Sequence, residues 1–291
     1  MEGSVFYMVR QMIIITADER QEKLASLLYG KKRRCSWENY QAKKQSCETV
    51  YVLPIPATKL DKDTALKEKL KEELINSDKG ASYVFGGVLD QEWIRFLEAN
   101  HIAYFDFMKL PEVVEGNADI TAEATVAEVL RLGARSIAGQ KMLVTGYGCC
   151  GMRIAKILKK LGADVVVAAR RESVRAQIVS DGFRACDFIG IKDVIGDVQT
   201  VINTVPAMVI TEELIRKMST ESLIIDIASK PGGTDFEAAS RHGITAKLSL
   251  GLPGIYTTTS SAELLKDAIY KYAPLSDDVR EEQLWIFQII I

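Results

Sequence analysis

Three glycines are spaced as GxGxxG in Gly146-Tyr147-Gly148-Cys149-Cys150-Gly151. Alone the spacing is a weak signal. Here it ends an apolar run at 140–146 and opens a helical pattern at 150–161, and a second apolar run follows at 163–169. That strand, turn, helix and strand context marks the phosphate turn of a dinucleotide site. Gly146 permits the tight turn, Gly148 lets the backbone approach a pyrophosphate, and Gly151 lets helix and strand pack closely. The unpaired N–H groups at the helix start, among them those of Cys149 and Cys150, attract phosphate together with the helix dipole. The end of the second strand reads the adenosine. A carboxylate there would bond the ribose hydroxyls and select NAD. Ala168-Ala169-Arg170-Arg171 stands there instead, so nothing repels a 2′-phosphate and two guanidinium groups can pair with it. NADP is the expected cofactor, with Ala169, Arg170 and Arg171 at its adenosine end. Arg175 is placed to reach the same region.

Other strand ends carry the remaining candidates. Asn203-Thr204-Val205-Pro206 closes a later apolar run, and its backbone and hydroxyl groups can line the nicotinamide ribose. The next run ends at Asp226 and is followed by Ser229, Lys230 and the turn Pro231-Gly232-Gly233. In an open α/β sheet the carboxyl ends of the strands face the ligand crevice. Lys230, the one cation of these two tips, suits a substrate carboxylate or is simply solvated. Asp226 is either a proton acceptor or a turn residue. Asp18, Arg20 and Gln21 follow the first strand, and Arg20 is a candidate carboxylate clamp because its planar fork suits bidentate binding. The alternative is a charged first helical turn with no ligand. Gly86-Gly87 permits another close backbone approach. The hydroxyl run at 257–261 either caps a helix or offers an anion site. His101 and His242, the two histidines, fall at none of these tips.

These tips need an α/β framework to hold them. Strands are expected at 12–15, 49–56, 81–87 and 102–107, with helices after the first and at 62–77 and 89–100. A second set follows at 140–146, 163–169, 200–205, 222–228 and 244–250, with a weaker strand at 183–187. Its helices lie at 150–161, 172–181, 211–218, 234–241 and 260–273. Short, continuously apolar strands alternating with helices indicate parallel sheets covered on both faces. The fold class is therefore α/β, with two Rossmann-like lobes. Residues 1–118 form the first domain and 119–136 a connecting helix capped by Thr121, with 111–120 as a polar border. Residues 137–257 form the dinucleotide domain, and 258–291 are a last helix and tail that pack back on the first lobe.

The 291 residues carry a formal charge of −2, with 47% apolar and 26% charged residues. That composition belongs to a soluble globular chain and excludes disordered and collagen-like classes. It also lacks the basic excess of a nucleic-acid surface. Lys31-Lys32-Arg33-Arg34 is read as a loop or helix end. Five cysteines without ligand spacing argue against a zinc site or a disulfide framework, and no metal is expected. The apolar run at 284–291 is too short to span a bilayer and can form a last strand or cover a partner.

Taken together, these motifs resemble the family of the dipicolinate synthase A subunit. The resemblance rests on Asp18-Glu19-Arg20-Gln21, the glycine turn at 146–151 and Asn203-Thr204-Val205-Pro206. Its most specific parts are Ala228-Ser229-Lys230-Pro231-Gly232-Gly233-Thr234-Asp235-Phe236 and Gly251-Leu252-Pro253-Gly254. It covers nearly the whole chain. The chain departs from the pattern at Thr16-Ala17, where glycines are usual, and at 255–259, where a Lys/Ala/Pro-rich stretch is usual. The resemblance implies a two-domain arrangement like that of hydroxyacid dehydrogenases and a pyridine-nucleotide role. It implies a flavoprotein-like B-type partner subunit, a homo-oligomer, and the cytoplasm of a sporulating mother cell. The implied reaction oxidises a cyclic dihydrodipicolinate-type compound to pyridine-2,6-dicarboxylate. Arg20 and Lys230 would then hold carboxylates, and Asp226, a water held by the hydroxyl run at 257–261 or a group of the partner subunit could take the proton. Two alternatives stay open. One is an NADP-binding, non-catalytic subunit that completes its site only with the partner. The other is a different small-acid dehydrogenase of the same fold.

Overall fold

A computed structural model describes residues 10–28, 31–41, 48–76, 82–273 and 284–291. The chain divides into two compact units. One comprises Met1–Gly116 with Thr258–Ile291, the other Asn117–Thr257.

The first unit is built on β1 (Arg10–Thr16), α1 (Glu19–Leu27), β2 (Lys31–Arg34), α2 (Trp37–Gln41), β3 (Glu48–Val52) and α3 (Thr64–Asn76). It continues with β4 (Ser82–Gly86), α4 (Gln91–Ala99) and β5 (Ala103–Asp106). A long helix, α5 (Pro111–Gly133), leads out of this unit and into the second.

The second unit holds β6 (Lys141–Thr145), α6 (Cys149–Lys160), β7 (Asp164–Ala168), α7 (Glu172–Ser180), β8 (Arg184–Cys186) and β9 (Thr200–Asn203). It ends with α8 (Glu212–Ile215), β10 (Leu223–Asp226), α9 (Phe236–Arg241), β11 (Thr245–Leu248) and α10 (Leu252–Tyr256). The chain then returns to the first unit with α11 (Thr258–Tyr272) and β12 (Leu284–Ile290).

Among the described residues each sheet has six strands, all parallel. The first runs β2-β12-β1-β3-β4-β5 and the second β11-β10-β9-β6-β7-β8. Period-two alternation feeds both faces of each. Met12 and Ile14 join one apolar cluster while Ile13 and Ile15 join the other. Met142 and Val144 are likewise separated from Leu143. Burial on both faces is why these strands read as unbroken apolar runs.

In the second sheet the first strand of the unit, β6, lies between the second, β7, and the fourth, β9. That is the doubly wound order, and its switch point falls between β6 and β9. The chain leaves β6 and β9 in opposite directions there, so their carboxyl ends open a crevice.

Two expectations need correction, and the tail expected as a last strand gains its place in the sheet. The polar border at 111–120 is helical: α5 begins at Pro111, where a proline costs nothing because the first N–H groups of a helix lack intrahelical partners. The helix expected over 119–136 therefore starts earlier and ends at Gly133. Thr121 is no cap but a mid-helix residue whose Oγ1 donates to the Asn117 carbonyl at 2.6 Å. Lys31–Arg34, read as a loop or helix end, is the edge strand β2. Its cations shield an open sheet edge, with Lys31 and Arg33 lying 5.0 and 4.5 Å over the Trp285 ring. The apolar tail forms β12, which is not an edge but lies beside β1 inside the sheet.

Among the described residues no helix is long and apolar enough to cross a membrane. None of them forms a group of three or more His, Cys, Asp or Glu able to hold a metal ion. Cys35, Cys149, Cys150 and Cys186 are in no disulfide among the described residues, and Cys47 lies outside them.

Candidate dinucleotide site

The turn after β6 has the geometry its glycines require. Gly146 has φ +90°, and a Cβ on it would stand 2.4 Å from Thr204 Oγ1. A Cβ on Gly151 would meet the Gly146 carbonyl oxygen at 2.3 Å, so only glycine lets α6 start this close to β6. Gly148 differs: it is the N-cap of α6, and a Cβ on it would meet nothing within 4 Å. The space beside it is open, and no side chain caps the helix. The donors at the start of α6 are thus offered outward, as an anion requires.

That open space belongs to a cavity of about 540 Å³ at the switch point. Gly146, Tyr147 and Gly148 form one wall, Ala169, Arg170 and Arg171 a second, and Val205 and Pro206 a third. Val174, Phe188, Ala207, Met208 and Val209 complete it. Motif reading missed these last five, because an apolar wall leaves no mark beyond side chains that could equally be core. Exposed Met208 is the visible trace, since a core methionine would be covered. The residues fit a dinucleotide: an uncapped helix start, a glycine without neighbours, and an apolar wall beside two guanidinium groups.

Cys149, Cys150 and Gly151 lie in the first turn of α6 rather than on the cavity wall. Burial pushes the Cys150 thiol up, and Cys149 Sγ accepts a hydrogen bond from Arg153 Nη1 at 3.1 Å. Arg175 is committed elsewhere than expected. Its Nη1 donates to the carbonyls of Ala169 and Arg170 at 3.0 and 2.6 Å, so it braces the turn that carries Arg170 and Arg171.

The β9 and β10 tips are joined by a buried polar network. Thr145 Oγ1 donates to Asn203 Oδ1 at 2.5 Å, and Asn203 Nδ2 donates to Asp226 Oδ1 at 2.9 Å. Asp226 also accepts from the Ala228 and Gly233 amides at 3.0 and 2.8 Å and from Thr234 Oγ1 at 2.8 Å. It is wholly buried. A carboxylate with four donors and no exposure organises the turn and is badly placed to take a proton from a substrate.

The turn it holds is docked on the cavity wall. The Gly233 carbonyl accepts from the Val209 and Ile210 amides at 2.9 and 2.8 Å, and a Cβ on Gly233 would lie 2.4 Å from the Ala207 oxygen. Ser229 and Lys230 are exposed at the head of this turn and do not line the cavity. Among the described residues Lys230 makes no ion pair.

Arg20 lies in the other unit, on α1. It is 8% exposed, and its Nη2 is 3.6 Å from Asp18 Oδ2. Thr204 backs the glycine turn, with its amide and its Oγ1 both bonded to the Thr145 carbonyl at 3.0 and 2.8 Å.

Residues 113–285 match the family model of the alanine dehydrogenase/PNT C-terminal domain. The chain belongs to that family. It is 35% identical over 155 residues to the dipicolinate synthase A subunit of Bacillus subtilis, a match covering 53% of this chain and 52% of that protein. It is 28% identical over 159 residues to alanine dehydrogenase of Geobacillus stearothermophilus, covering 47% and 42%. These matches span about half the length of the curated relatives or less. The crystal structure of the dipicolinate synthase A subunit from Bacillus halodurans superposes with a TM-score of 0.78 at 26% identity, covering 93% of this chain and 99% of that one. The resemblance drawn from the motifs and the α/β fold class are both borne out. The family supports an oxidoreductase-type domain with a nicotinamide cofactor.

Proposed function

We propose that the chain is the NADP-binding, oxidising subunit of a dipicolinate-synthase-type enzyme. Its substrate would be a cyclic dihydrodipicolinate-type compound and its product pyridine-2,6-dicarboxylate. The observation that carries the cofactor choice is the shared cavity: Gly146 and Gly148 line it together with Arg170 and Arg171, and no carboxylate stands at the end of β7. A dinucleotide held by the glycine turn would bring its adenosine ribose to the two guanidinium groups.

Bound NADP supplies a two-electron acceptor for hydride transfer. The rest is binding and orientation by the chain. The α6 start would hold the pyrophosphate, and Val205 and Pro206 would limit where the nicotinamide half can lie. Lys230, exposed and without an ion pair among the described residues, would take a substrate carboxylate, and Arg20, on the first unit, is kept as a separate candidate carboxylate clamp. Asp226 would position the turn that carries Lys230. Oxidation removes a hydride and a proton from the ring. With Asp226 enclosed, solvent or a partner subunit would accept that proton, which favours a B-type partner in the complete enzyme.

The test mixes the purified chain with NADP and enzymatically generated intermediate, with and without the B-type subunit. Pyridine-2,6-dicarboxylate formation and NADPH absorbance are followed together. Coupled appearance of both is expected, with Lys230→Ala raising the substrate KM about tenfold or more while NADP affinity is kept. Product without NADPH, in any mixture, would remove the oxidising role.

A further inference from the structure

The tip of β1 holds a cluster that the dinucleotide site does not use. Asp18 caps α1 by accepting from the Gln21 amide through Oδ1 at 3.2 Å. Its other oxygen receives two cations: Lys59 Nζ at 2.8 Å and Arg20 Nη2 at 3.6 Å. Lys59 stands on a short 3-10 helix, Ala57–Lys62, pinned by buried Ala57 and Leu60 and by the Ala57 amide on the Gly87 carbonyl at 2.9 Å. Gln21, fully buried, ties the same place together by donating to the Leu53 carbonyl at 2.9 Å and accepting from the Ala17 amide at 3.0 Å. The ends of β1, β3 and β4 therefore meet around these three charges.

The cluster is unbalanced. Two cations share one carboxylate, which leaves one positive charge over. Arg20 is the less well served: its side chain is 10% exposed, its one ion pair is the longer of the two, and its Nε is buried without a hydrogen-bond partner. A buried, unsatisfied guanidinium donor is costly, and structures keep such a group where something else completes it. Burial lowers the Arg20 pKa, which the Asp18 charge opposes. Burial would raise the Asp18 carboxyl, but the Lys59 hydrogen bond and the two cations outweigh it and hold it below its ordinary value.

The geometry points to a site for one ligand carboxylate bound between Arg20 and Lys59, with Asp18 as the resident carboxylate that holds both cations in place and that the ligand must share them with. This rests on the reading of Arg20 as a substrate clamp and adds Lys59 as its second cation and Asp18 as the group that tunes its affinity. A planar carboxylate supplies two acceptors, enough for the unpaired Nε and for the lysine.

Asp18→Asn is the informative change, because asparagine keeps the helix cap and removes the competing charge. Wild type, Asp18→Asn and Lys59→Met full-length chains are compared by calorimetry and thermal shift with pyridine-2,6-dicarboxylate and with pyridine-2-carboxylate. Asp18→Asn is expected to lower the ligand-free Tm, to tighten both ligands about tenfold, and to show the larger ligand-induced rise in Tm. Lys59→Met is expected to weaken both about tenfold.

Unchanged affinities in both variants would make the cluster purely structural and overturn the proposal, as would failure of wild type to bind either ligand. Should Asp18→Asn not fold, unchanged affinity in Lys59→Met overturns it alone. The two readings separate in this experiment. Dicarboxylate binding that ignores both variants keeps the proposed substrate and removes this site. A response with pyridine-2-carboxylate, without any dicarboxylate binding, keeps the site and removes the proposed substrate.

Discussion

Arg170 and Arg171 occupy the place where a carboxylate would choose between the two nicotinamide dinucleotides. Both are exposed and both line the cavity, while Arg175 spends its guanidinium on the Ala169 and Arg170 carbonyls. Discrimination should therefore rest on the pair and not on Arg175. Arg170→Asp combined with Arg171→Ala should cost NADPH about 1.5–3 kcal/mol, or roughly ten- to a hundredfold in affinity, and leave NADH little changed. Calorimetric titration of both cofactors measures the difference. Equal losses would place the 2′-phosphate elsewhere.

At the scale of elements, one buried carboxylate joins three strand ends. Asp226 closes β10, bonds Asn203 at the end of β9, and through Asn203 reaches Thr145 at the end of β6. Its second oxygen fastens the Gly233 and Thr234 end of the following turn, which is docked on the loop that lines the cavity. Asp226→Ala would strand the Asn203 amide, the backbone donors of Ala228 and Gly233 and the Thr234 hydroxyl away from water. The expected cost is about 3–5 kcal/mol in denaturant unfolding, with NADP affinity falling alongside. Lost turnover at undiminished stability would instead return Asp226 to the reacting groups.

For the whole molecule, the path of the chain matters. It enters the second unit along α5 and leaves it after α10. Glu128 of α5, almost fully buried, fastens the two together. It accepts from Lys247 at 2.7 Å, Ser249 at 3.0 Å, Arg131 at 3.0 Å and the Tyr256 hydroxyl. Burial would raise its carboxyl, but the hydrogen bonds from Arg131, Lys247, Tyr256 and Ser249 outweigh it and hold it at about 2, against 4.5 for an ordinary glutamate. A depressed pKa stabilises the fold fully above pH 4.5, and the contribution is lost as pH falls from there through 2. Glu128→Gln should lower Tm at pH 7 and flatten the decline of Tm between about pH 5 and 3. Tm curves that run parallel for the two proteins across that range would show that the clamp does not set the acid limit.

The glycine turn, the arginine pair and both parallel sheets were legible in the sequence because each rests on local chemistry. A turn that admits only glycine, a strand buried on both faces and a missing acid are properties of short segments. The register of α5 was not, because Glu-Gly-Asn-Ala-Asp at 115–119 has a loop-like composition that helix packing overrides. Nor could the sequence place 284–291 beside β1, since that pairing joins residues from opposite ends of the chain. The fate of charged side chains was equally a tertiary matter. Asp226 and Lys230 are close neighbours in sequence, yet one is enclosed by four donors and the other stands exposed. Lys59 gave no motif at all, and only the fold brought it to Asp18. The order of residues decides which groups exist and which short segments must bend or extend. Burial and partners, which set what a charge can do, are decided by distant segments that meet only in the folded chain.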